Sequence, residues 1–375
     1  MSEWTVKPGG HRGSGKQHLT EEEGRRRLET YGARCSTRQE WEARAGAIRE
    51  GIQKGAELYP WPAKTPLNPA VHSRRDHAGY TVENVVFESL PGHFVTGNLY
   101  RPQDAGTPLP GILSPHGHAR VGRFEDHGQI RAATLARMGA IVFAWDMVGY
   151  GESRQLNADE EGRLTFPKLM GLHLWNSLRS LDFLLSLDGI DPDRIGMTGE
   201  SGDGSQTFFA AAVDDRIRFP VPVVQVSAHF YGGCLCESGM PIHEGDGYQT
   251  VNAEIAAAAA PRPQMIVSDG ADWTKNVPDV EFPYIRNVYN LYGAADDVEL
   301  FHDAEGKHDY NAVKRAPVYD FFIRRMGLRA IPDESGSILE PHEALRAITE
   351  NHPLPGHALR GDDQMARAWA ELTGN

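Results

Sequence analysis

Thr198-Gly199-Glu200-Ser201-Gly202-Asp203-Gly204 joins two segments of different period. Residues 194–198 read as a short apolar strand and residues 205–213 as an apolar helix. A chain that passes from strand to helix over so few residues must bend sharply at Ser201. Such a bend strains the serine backbone and lifts Oγ out of the fold. Gly199 and Gly202 allow the helix to pack close to the sheet. The first helical amides then face any negative charge that develops beside the hydroxyl. Asp203 suits the dipole of the first helical turn, but its charge would oppose an anion at the same place.

Outward from this bend, strands and helices alternate. Before it come apolar runs at 111–114 and 140–145, with helical patterns at 130–138 and 172–187. After it come strands at 221–227, 265–267 and 298–301 and helices at 282–292 and 312–326, with Gly293 and Gly327 as stops. Alternation of this kind predicts a mostly parallel sheet with helices on both faces. Residues 80–88 and 93–100, separated by Ser89-Leu-Pro-Gly92, predict an antiparallel hairpin that makes the sheet mixed. Residues 1–79 read as a partly helical extension, with Ser36 and Gln39 spaced as a capping box and Trp41, Ala45, Ile48 and Ile52 on one helical face. The sheet domain is expected over 80–327 and a tail with two short helical segments over 328–375. Residues 230–260 form a connection long enough to suggest a functional role, such as a pocket wall.

The bend at Ser201 and the loop Asp146-Met-Val-Gly-Tyr-Gly-Glu-Ser153 resemble the nucleophile elbow and the D-x-x-G-x-G-x-S loop of the α/β-hydrolase superfamily over roughly residues 80–327. Within it, Gly199–Thr207, Ala211-Ala-Val-Asp-Asp-Arg216 and Asp272-Trp-Thr-Lys275 are similar to bacterial acetylxylan-esterase-like or dienelactone-hydrolase-like enzymes. The resemblance implies an eight-stranded-type α/β-hydrolase sheet and deacylation of a carbohydrate or similar small ester. Asp203 departs from the pattern, which has a second glycine there.

A serine hydroxyl needs a base, and the superfamily carries it on a histidine after the last strand. That position selects His308 over His302, which sits on or at the end of the strand. The orienting acid should follow the preceding strand, where Asp269 and Asp272 stand. The family spacing favours Asp272, the loser then capping the loop, with Glu237 a third candidate. Two amides should bind the oxyanion, one from Gly202 and one from the Pro115-His116-Gly117-His118 loop, at His118 or Ala119. His229, Phe230, Tyr231, Glu237 and Trp273 are expected along the pocket wall, with plain core packing the competing reading for each aromatic. The scheme needs neither metal nor organic cofactor. His116-x-His118 has no carboxylate or third histidine at a convincing spacing, and Cys234-x-Cys236 alone is too small for a closed zinc site.

The 375-residue chain carries 38 basic and 51 acidic residues, a net charge of −13 that argues against nucleic acid and anionic membrane as partners. The expected partner is a small-molecule or carbohydrate ester, and a homo-oligomer is compatible with the composition. Three cysteines, Cys35, Cys234 and Cys236, are too few for a disulfide framework and suit a reducing compartment. The first residues show no signal-peptide core, so a cytoplasmic location is expected, unless a leader was removed. Two other functions are open at this stage: a peptidase or amidase on the same scaffold, and a silent, ligand-binding relative suggested by Asp203.

Overall fold

The structure, a computed structural model, describes residues 18–103, 106–159, 162–245, 248–331 and 333–374. The stretch read for a leader, residues 1–17, lies outside them. Two helices open the described chain, α1 (Glu21–Arg34) and α2 (Arg38–Gly55). Each begins with a threonine whose hydroxyl accepts from the amide three residues on, while the glutamate there bonds back. For α2 the box is Thr37 and Glu40, one residue beyond the expected Ser36 and Gln39. The Glu40 carboxylate reaches the amides of both Ser36 and Thr37 at 3.0 Å. Trp41, Ala45, Ile48 and Ile52 are buried as expected.

The sheet starts at β1 (Ala70–His77), ahead of the hairpin of β2 (Tyr80–Leu90) and β3 (His93–Pro102). The alternation then runs through β4 (Leu109–Leu113), α3 (Asp126–Arg137), β5 (Ile141–Trp145), α4 (Leu169–Leu185), β6 (Ile190–Glu200), α5 (Gly202–Val213) and β7 (Phe219–Val223). The long connection is not structureless. It holds α6 (Leu235–Ser238), the small hairpin β8 (Glu244–Gly245) and β9 (Tyr248–Gln249), and α7 (Asn252–Ala257). The core closes with β10 (Gln264–Asp269), α8 (Glu281–Asn290), β11 (Val298–Asp303) and α9 (Ala312–Met326); the tail adds α10 (His342–Leu345) and α11 (Asp362–Thr373).

The main sheet has nine strands in the order β1-β2-β3-β5-β4-β6-β7-β10-β11. Its first three pairings are antiparallel and the rest parallel. The strand beyond the eight expected is β1, a polar, mostly exposed edge with no apolar alternation to betray it. Strand β7 stops at Val223, short of the expected residue 227, because Val224 turns out of the ladder at φ 46°. Side chains of β5 show how the sheet is buried on both faces. Ile141, Phe143 and Trp145 join the core under α4, α5 and α2, whereas Val142 and Ala144 join the core under α3 and α9.

The two ends of the chain are fastened to this core by polar contacts. Arg44 of α2 bonds both carboxylate oxygens of buried Glu254 at 2.7 and 2.6 Å. In the tail, the Leu345 carbonyl accepts from Asn98 and Arg123, both at 2.9 Å, and Asn84 donates to the carbonyls of Ala344 and Arg346. Among the described residues no helix is long and apolar enough to cross a membrane.

Candidate active site

Strand order changes direction between β4 and β6: the chain leaves β4 toward β5 on one side and β6 toward β7 on the other. In open sheets a crevice forms outside the carboxyl ends of such a pair. Ser201 follows β6 and the His116–His118 loop follows β4, so both stand at that crevice.

Ser201 caps α5 at φ 55° and ψ −123°, a backbone that a side-chain-bearing residue adopts only under constraint. Its neighbours supply the constraint. A Cβ on Gly199 would stand 2.6 Å from the Cβ of Asp203, and one on Gly204 would meet Gln225 Cβ at 2.7 Å and the Val223 carbonyl at 2.8 Å. A Cβ on Gly202 would stand 2.5 Å from Cε1 of His118, so that imidazole lies flat against the first residue of α5. Asp203 is buried at 0% exposure, and burial pushes its carboxyl well above the usual range. That shift weakens the negative charge expected from it near an oxyanion.

The loop after β4 is held rigidly. His116 is buried, and desolvation lowers it to about 3. Its Nε2 accepts from the Met147 amide at 3.0 Å, which leaves the proton on Nδ1, facing the Gly117 carbonyl at 2.7 Å. Arg131 supports the loop below, bonding the Ser114 hydroxyl and the Pro115 carbonyl at 3.0 and 2.6 Å. The amide of Ala119 is engaged by the Gly117 carbonyl at 2.8 Å.

At the next two strand ends the structure brings His308 and Asp272 together: Nδ1 of the imidazole is 2.6 Å from Oδ2 of the carboxylate. Burial disfavours the His308 cation, but the bond and charge of Asp272, with the charges of Glu200 and Asp269, outweigh it and raise the imidazole above its ordinary value. Asp269 caps the loop instead, accepting from the amides of Ala271 and Asp272 at 3.1 Å each. The other histidine, His302, is bonded to Ser268 at 2.9 Å.

The wall residues divide. Trp273 packs 4.5 Å from His308, Phe230 stacks on Trp273 at 4.1 Å, and His18 stacks on Phe230 at 4.8 Å, a column of rings from the N-terminal arm to the imidazole. His229 neighbours it, its ring 3.1 Å from Ser227 Oγ. Tyr231 is instead 1% exposed and stacks on His243, so it packs in the core.

Three contributors escaped the sequence reading. Glu200 is buried beside Ser201. Burial alone would raise its carboxyl, but the 2.9 Å bond to His127, with the charges of His127, Arg131 and His308, brings it below its ordinary value. Lys314, also buried, bonds Asp309 at 2.7 Å and lies 3.4 Å from Asp269. The third is a cluster. Cys234 and Cys236 form one disulfide, although three cysteines are too few for a framework of them. Nε2 of His118 lies 3.2 and 3.1 Å from their sulfurs, and Glu237 completes a group of metal-ligating type. The sequence alone gives two incomplete pairs because the fold, not the spacing, joins them.

No family model matches the chain. Over 97% of its length it is similar to the solved structure of methylesterase BT1017, with 37% identity, a TM-score of 0.88 and 85% of that chain covered. The structure titled "putative acetyl xylan esterase" from Bacteroides fragilis NCTC 9343 shares the fold, with a TM-score of 0.56 at 19% identity over 80% of this chain and 86% of that one. In sequence it is 28% identical over 258 residues to "Putative hydrolase YtaP" of Bacillus subtilis (strain 168), 62% of this chain and 82% of that protein. The chain belongs to the family of methylesterase BT1017, an acetylxylan-esterase-like branch of the α/β-hydrolases, and is a carboxylic ester hydrolase.

Proposed function

We propose that the chain hydrolyses a carbohydrate ester through an acyl-enzyme on Ser201. His308 takes the hydroxyl proton through Nε2, the ring nitrogen that Asp272 does not engage. Ser201 attacks the ester carbonyl, and the Gly202 and His118 amides bind the oxyanion; collapse of the adduct breaks the ester C–O bond, and the departing alcohol takes the proton from His308. Asp272 fixes the tautomer of His308 and stabilises its cation; water then releases the acyl group with His308 again as base. The observation that carries this reading is the His308–Asp272 bond at the strand ends, together with a serine held at positive φ at the head of α5.

The likeness to a methylesterase favours one polarity of the ester. In a methyl ester of a sugar acid, methanol leaves first and the sugar acid is the acyl group. In an acetylated sugar the small acetyl group stays on Ser201. We take the methyl ester as substrate. Incubating purified chain with methyl-esterified and acetylated polysaccharides, with Ser201→Ala as the blank, should release methanol from the first, and the blank should release none. Labelling of Ser201 by a fluorophosphonate should disappear in the same variant. Methanol release that survives Ser201→Ala would overturn the mechanism, and acetate alone would reverse the polarity.

A further inference from the structure

The disulfide leaves two well-placed ligands without a purpose. Nε2 of His118 faces both sulfurs at 3.1 and 3.2 Å. Oε2 of Glu237 lies 3.5 Å from Cys234 Sγ, and all four ligand atoms lie within 4.8 Å of one another. A tetrahedral zinc ion with bonds of about 2.0–2.3 Å sets its donors roughly 3.3–3.8 Å apart. Three of these separations already fall close to that span, and the joined sulfurs must part for an ion to enter.

We propose that the reduced chain binds one zinc-class divalent ion through His118, Cys234, Cys236 and Glu237. Two thiolates, an imidazole and a carboxylate form a borderline-soft set that suits zinc better than calcium or magnesium. The carboxylate is pre-aimed: Oε2 accepts from the Gly233 amide at 2.9 Å and Oε1 from Gln225 at 3.1 Å, which in turn accepts from the Trp273 indole at 3.2 Å. Support of this kind orients ligands in metal sites. Disulfide and ion exclude each other. A dithiol reductant gives two electrons and two protons to the Cys234–Cys236 bond and becomes a disulfide itself; ion binding then displaces the two thiol protons. The filled site ties the loop after β4 to α6, with the His118 ring still against Gly202. This inference stands apart from the Ser201 mechanism.

The test uses the full chain, reduced with a dithiol, freed of it without air and checked by thiol count. Titration with Co²⁺ should give one equivalent of four-coordinate cobalt with a sulfur-to-metal charge-transfer band, displaced by Zn²⁺. The oxidised chain should show neither. The Cys234→Ser/Cys236→Ser variant, its fold checked by circular dichroism, should lose the band; Cys35→Ser and Ser201→Ala should keep it. Glu237→Gln should weaken affinity about tenfold or more. A reduced chain with no such band, a band that survives the double variant, or a disulfide that resists reduction in the folded chain would each overturn the proposal.

Discussion

His308 meets a carboxylate that is already fixed before it arrives: Asp272 accepts from the Thr274 amide at 2.5 Å and its hydroxyl at 2.6 Å through Oδ1, and presents Oδ2 to the imidazole at 2.6 Å. The acid therefore cannot swing away without losing the turn that carries it.

This arrangement sets a pH dependence. A base must be neutral, so kcat/KM should rise with pH through a midpoint above the ordinary imidazole value of about 6.5. The stability contributed by the His308 cation runs the other way. It is complete below the unfolded imidazole pKa and is lost as pH rises through the raised folded one. Asp272→Asn should lower the midpoint and reduce kcat by roughly 10⁴. An unchanged midpoint in a pH–rate profile of that variant would count against Asp272 as the partner.

The raised Asp203 carboxyl makes a second prediction. Its folded pKa is raised, so between the unfolded value and the folded one the native state alone keeps the proton. Stability then falls as pH rises across that window. Asp203→Asn should remove this slope in denaturant melts and keep turnover within a few-fold of wild type. A large loss of turnover would mean that the ionised or acidic form is needed.

Gly202→Ala should collide with the His118 imidazole and shift the loop that carries the proposed oxyanion donor. Loss of one such donor typically costs about 10²–10³ in kcat. The drop should appear in kcat more than in KM, with the melting curve little changed.

Arg44→Ala should leave the buried Glu254 carboxylate without a cation, held only by the Thr250 and Tyr284 hydroxyls, Glu254 being 0% exposed in its side chain. Breaking a buried pair from one side destabilises by about 3–5 kcal/mol. Chemical denaturation should show that loss, and Arg44→Lys, which cannot bridge both oxygens, should recover only part of it.

What the sequence revealed follows from which signals are local. The elbow is local: two glycines and a serine between an apolar strand and helix suffice to place Ser201, and the residues after β10 and β11 suffice to nominate Asp272 and His308. Helix α1 was not legible because it buries only Gly24 and Leu28, too few for a periodic pattern, and announces itself only by its Thr20–Glu23 cap. Strand β1 is polar and joins the sheet through its backbone ladder and polar side chains such as Arg75, which donates to Asn84. Tyr231 shows the opposite error: its place in the chain suggested a wall, while its ring is taken up by His243. The raised carboxyl of Asp203 depends on burial, and the meeting of His118 with Cys234, Cys236 and Glu237 depends on the order of strands. Neither has a mark in the residues around it.

The carbonyls of Ala344, Leu345 and Arg346 have a practical consequence for anyone trimming the molecule. A truncation after Gly327 would look harmless, since every sheet strand and the last core helix would be retained. It would strip acceptors from Asn84, Asn98 and Arg123, which are 1%, 1% and 3% exposed. The Asn84 amide would lose both its acceptors, an orphan that costs about 1–3 kcal/mol or more, enough to weaken a shortened version although its proposed catalytic groups are all still encoded.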